Sequence, residues 1–138
     1  MPADQSKAMS PENLGTGVYN PKDFSVFDPN EGMVCIMYGN DPDVSIVVWN
    51  LEPGQENSTH VHPTSTHVVM VLQGAGEYLK DGKPVSCKAG DAIIVPRGVV
   101  HGVRNTGKDR LSYMAVTSVS PEGYDRQPVG EQKVSLGH

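Results

Sequence analysis

The sequence predicts an all-β domain, a sandwich or barrel of short antiparallel strands, and three observations predict it. Apolar and β-branched residues recur with period two, or in short continuous runs, along most of the chain. Turn residues punctuate those runs, drawn from 15 glycines and 11 prolines in 138 residues. No helix-length window carries a convincing 3.6-residue period, so there are no crossover helices to support a parallel sheet.

The elements follow in order. "MVCIMYG" (33–39) and "DVSIVVWNL" (43–51) are apolar runs separated by Asp41-Pro42, and the second ends at Pro53-Gly54. "STHVH" (58–62) alternates, so His60 and His62 project from one face and Val61 from the other. Pro63 to Thr66 supply a turn before the β-branched run "HVVMVLQ" (67–73). "GEYLK" (76–80) and "KPVSC" (83–87) flank Asp81-Gly82, the strongest hairpin signal here, because a type I′ turn needs two residues that tolerate positive φ. "DAIIV" (91–95) follows Ala89-Gly90, and "HGVRN" (101–105) follows Arg97-Gly98. The last strand, "RLSYMAVTS" (110–118), sets Tyr113, Ala115 and Thr117 against Ser112, Met114 and Val116. So many short strands need closure or pairing at their edges.

A chain of this length buries one sizeable core, and we expect a single domain over 1–138: an arm at 1–22, a barrel at 23–118 and a tail at 119–138. Eleven basic and 16 acidic residues are scattered along it, for a net charge of −5. No basic stripe offers itself to nucleic acid and no polybasic segment to a membrane. The first residues lack the charged and apolar regions of a signal peptide. The expectation is a cytoplasmic protein whose partner is a small-molecule substrate, with no nucleic acid and no membrane. Cys35 and Cys87 stand in separate strands without CxxC spacing and read as free buried thiols.

Four of the five histidines fall in two compact clusters: His60, His62 and His67, then His101 34 residues beyond His67. If the strand beginning at His67 pairs antiparallel with the strand before it, His67 lies beside His60 and His62. Neutral imidazole is the commonest metal-binding side chain, and histidines on neighbouring strands can meet at one ion. A lone histidine in a β protein is more often a surface or hydrogen-bonded residue, and an HxH pair alone carries little weight. Clustering between turn glycines is what raises the metal reading.

Those clusters also carry a family resemblance. Gly54, His60, His62, His67 and Gly74, separated by five, one, four and six residues, resemble the first cupin motif, with His67 in place of the family's usual glutamate. Gly90, Pro96, Gly98, His101 and Asn105, separated by five, one, two and three residues, resemble the second motif throughout. The likeness spans 54–105, and its strand pattern extends over about 25–118. It implies a double-stranded β-helix, a jelly roll, with one divalent transition metal at the barrel mouth. Fe or Mn is favoured, and Ni, Zn and Cu also suit such ligands. By the likeness His60, His62 and His101 are ligands, and His67, at the glutamate position, is the fourth. An imidazole there removes one negative charge, leaving a centre that attracts an anionic or enolisable oxygen.

Around such a centre Trp49, Asn57, Val69, Tyr113, Ala115 and Thr117 are the expected pocket residues, and Tyr113 is the candidate catalytic group. Trp49 also reads as a core tryptophan and Asn57 as a solvent-facing amide. The motifs hold no carboxylate suited to proton transfer except Asp91 beside its turn glycine. That tilts the expected activity toward a cupin-type dioxygenase or related oxidoreductase acting on a small oxo, enolisable or phenolic compound. A non-redox isomerase, cyclase or lyase is the alternative, and a non-catalytic binding module is the reading from another class. A homodimer is expected, with "DFSVF" (23–27) crossing to the partner on Phe24, Val26 and Phe27.

Overall fold

The apolar runs become strands in the computed structural model, which describes residues 14–39, 41–118 and 125–126. In chain order they are β1 (Met33–Tyr38), β2 (Val44–Leu51), β3 (Glu56–Val61), β4 (His67–Gln73) and β5 (Ala75–Lys80). Then come β6 (Lys83–Lys88), β7 (Ala92–Val95), β8 (His101–Arg104), β9 (Leu111–Ser118) and β10 (Asp125–Arg126). One 3-10 turn, Pro21–Phe24, precedes them; Pro21 fixes φ at its start and the Asn20 side chain accepts from the Lys22 N–H at 3.0 Å. No helix among the described residues is long and apolar enough to cross a membrane.

The strands form two five-stranded antiparallel sheets, β1-β2-β9-β4-β7 and β10-β3-β8-β5-β6, the layout of a jelly roll. Alternation in β9 decides which side chains face the other sheet. Tyr113 and Ala115 join Val47, Trp49, Val69 and Val71 in the inner core, and Met114 turns to the outer face. Each fully buried aliphatic side chain there contributes about 1.5–3 kcal/mol. The β5–β6 hairpin turns on Asp81 (φ 49°) and Gly82 (φ 81°), the left-handed pair that a type I′ turn requires. Cys35 and Cys87 are free, buried in different clusters, and burial raises both thiol pKa values.

The segments that flank the barrel strands pack on them, and one expected pairing changes. The segment 23–27 packs on its own chain: Phe24 and Val26 are buried beside Cys35, Met37 and Val48 on the outer face of β1 and β2. Buried Asn50 donates to the Phe24 carbonyl at 3.4 Å and accepts from the Ser112 hydroxyl at 2.8 Å, tying that segment down. The tail region 119–138 contributes a strand, β10, whose Asp125 and Arg126 pair with Val61 and His60. Residues 1–13, Asn40, 119–124 and 127–138 lie outside the described residues. Finally, β4 does not pair with β3. Both flanks of β3 are taken, by β8 and β10, so the chain crosses at 62–66 to the opposite sheet, where β4 pairs with β7 and β9.

Candidate metal centre

Strand register assembles the histidines. His60 and His101 sit directly opposite each other on β3 and β8, and His62 follows on the same face just past the end of β3. One ligand atom from each of His60, His62 and His101 lies within 4.8 Å of the others, and all three residues are buried. Their ring centroids are 4.4 Å apart for His60 and His101, 5.0 Å for His60 and His62, and 5.4 Å for His62 and His101. From the other sheet, His67 brings its ring to 4.8 Å from that of His62 and 4.7 Å from that of His101. Four imidazoles thus share one buried space, three from one wall and one from the facing wall.

The donor set fits a divalent transition metal. Nδ1 of His60 lies 2.8 Å from the Ser58 carbonyl, and Nδ1 of His101 lies 2.9 Å from the Val99 carbonyl. A carbonyl only accepts, so each Nδ1 carries the proton and each Nε2, the atom a metal would take, carries the lone pair. Nδ1 of His67 lies 3.3 Å from the Thr117 hydroxyl, the residue opposite it on β9. Neutral imidazole is the form that binds metal.

The other expected residues divide into rows along the inner face of the first sheet. Thr117 stands beside His67. Val69 and Ala115 pair in the next row, and Tyr113 lies a further row away between Val71 and Trp49, about 13 Å along the strand from Thr117. There the Tyr113 hydroxyl accepts from Asn57 Nδ2 at 3.2 Å. The candidate catalytic tyrosine therefore stands beside Trp49 and Asn57, two rows along the sheet from His67 and Thr117. Another phenol near the histidines is that of Tyr78, its ring centroid 6.4 Å from that of His101. Burial, then the Asp81 charge, raises its pKa and keeps it protonated. Sequence reasoning missed Tyr78; its signal was its inward position in the alternation of β5. Asp91 sits at a turn, accepting from the Lys88 N–H at 2.9 Å, and takes no part in the centre.

A family model described as a cupin domain matches residues 47–117. An oxalate-binding protein of Thermotoga maritima is 35% identical over 66 residues, 48% of this chain and 54% of that protein. Oxalate oxidase 1 of Hordeum vulgare is 33% identical over 86 residues, 56% of this chain and 42% of that protein. The chain spans about half the length of these curated relatives. Among solved structures, an uncharacterized conserved protein with a double-stranded β-helix domain from Klebsiella pneumoniae superposes with a TM-score of 0.74. It is 27% identical and covers 81% of this chain and 97% of its own.

Proposed function

The chain belongs to the cupin domain family, and from that premise we propose that it is a metal-dependent enzyme, a dioxygenase acting on a small oxo, enolisable or phenolic compound. The observation that carries the reading is the buried histidine set, His60, His62 and His101 within ligand reach of one another and the His67 ring against two of them. A Fe or Mn ion, when bound there, supplies Lewis acidity and redox chemistry with dioxygen.

The residues around it have separate tasks. The carbonyls of Ser58 and Val99 fix the tautomers of His60 and His101, and Thr117 orients His67. With no carboxylate among the four side chains, His60, His62, His67 and His101 would leave a bound divalent ion its full charge, which would favour an anionic substrate oxygen. Tyr78, held protonated, supplies a phenol next to His101 to hydrogen-bond that oxygen. The relative described as an oxalate-binding protein supports a second reading, a site that binds a small oxygen-rich ligand without turnover.

The test uses the full chain stripped of metal, reloaded with Fe(II) or Mn(II), and offered β-diketones, catechols and small oxo-acids while dissolved oxygen is recorded. Oxygen uptake that matches substrate loss, and that disappears in His60→Ala, supports the dioxygenase. Metal-dependent conversion without uptake replaces it with isomerase or lyase chemistry, and saturable binding without conversion replaces it with the binding module.

A further inference from the structure

A cleft of about 300 Å³ opens between the segment leading into β1, the end of β2 and the start of β3, and none of the four histidines lines it. Trp49 and Asn57, each 5% exposed, line it from the interior side, Val34 adds an apolar surface, and exposed Glu31 and Glu56 bring carboxylates. The volume lies at the small end of the range for small-molecule sites.

Two features point to a ligand. The indole Nε1 of Trp49 is buried with no hydrogen-bond partner. Buried donors ordinarily find an acceptor, and indole N–H groups are no exception, so this donor in the cleft wall is left for an oxygen that a small shift of the wall would admit. Asn57 uses Nδ2 on the Tyr113 hydroxyl, which presents its carbonyl oxygen as an acceptor on the same wall. A lining indole with an unmet donor and a lining amide with an acceptor therefore flank the apolar side chain of Val34. Among the described residues no Lys or Arg lines the cleft, and two carboxylates do.

We propose that this cleft is a second small-molecule site, built for an uncharged planar compound. Such a ligand presents a carbonyl or hydroxyl oxygen to the Trp49 N–H and an O–H or N–H to the Asn57 oxygen. Glu31 and Glu56 turn away its anionic counterparts. The site works with or without metal at the histidines and stands independently of the activity proposed for them.

Benzamide and benzoate test it, because they match in shape and differ in charge. The chain has one tryptophan, so its indole N–H gives a single resonance that reports on the cleft. In metal-free full-length protein, benzamide is expected to shift that resonance to saturation, with benzoate weaker by about tenfold. The double variant Glu31→Gln, Glu56→Gln, at exposed positions, is expected to bring benzoate within about threefold of benzamide. Trp49→Phe keeps the ring and loses the donor, and calorimetry is expected to find benzamide weakened about tenfold. If Trp49→Phe fails to fold, the glutamine pair decides. No saturable shift with benzamide up to about 20 mM overturns the proposal. So does benzoate binding as tightly as benzamide, or a glutamine pair that leaves the difference unchanged.

Discussion

His67 is the residue where this site departs from its family's pattern, and its place in the structure makes the departure testable. Its ring stands against those of His62 and His101 while Thr117 holds its Nδ1 side. Alanine at His60, His62 or His101 is expected to lower metal affinity by at least about a hundredfold with the strands intact. His67→Ala is expected to lower it by about tenfold, and elemental analysis after dialysis measures both; unchanged metal in His67→Ala would leave a three-histidine site. Metal binds neutral imidazole and protons compete for the same lone pair, so occupancy is expected to fall as pH drops through about 6.5. Metal content constant from about pH 8 to 5 would count against histidine ligation. The four histidines were legible because motif spacing exposes them. Their supports were not: the carbonyls of Ser58 and Val99 have no side-chain signature, and Thr117 meets His67 across a sequence separation of 50 residues.

At the scale of elements, alternation and turn residues placed most strands within a residue or two, since a pleated strand buried on one face must show period two. β3 is the exception: its register shifts between Asn57 and His60, so both are buried although an odd number of residues apart. A reader of strict alternation therefore starts this strand late and faces Asn57 to solvent. β10 escaped because two residues carry no period at all. Turn glycines differ in what they bear. Gly74 has φ +82° and its missing Cβ would meet the backbone carbonyl of Arg110, whereas Gly90 has φ +94° and open space around it. Gly74→Ala is expected to cost at least about 2 kcal/mol and Gly90→Ala about 1 kcal/mol, read from urea unfolding midpoints. Equal losses would show that backbone conformation alone sets the requirement.

For the molecule as a whole, the all-β class and the jelly roll were legible, but the path between sheets was not. No local signal says that Pro63 to Thr66 carries the chain across the sandwich, because what forbids β4 beside β3 is the occupancy of both β3 edges by distant segments. Assembly also belongs to this scale. Val68, Met70 and Ile94 are exposed on the outer face of β4 and β7, with Val68 and Ile94 directly paired. We propose that a homodimer covers this apolar face. Light scattering at micromolar concentration is expected to give twice the mass of one 14.8 kDa chain, and Val68→Lys with Ile94→Lys to return it to a single chain. A wild-type mass of one chain would refute the dimer. One pairing described above reaches further. Because β10 lies along His60 and Val61, it acts as a splint for a strand that carries a candidate ligand. Cutting the chain after Ser118 would leave that edge open to water, and its peptide groups would trade hydrogens for deuterium sooner. The same fraying would let a captured ion escape faster, so deuterium uptake at 60–61 and the ion's dissociation rate are expected to rise together.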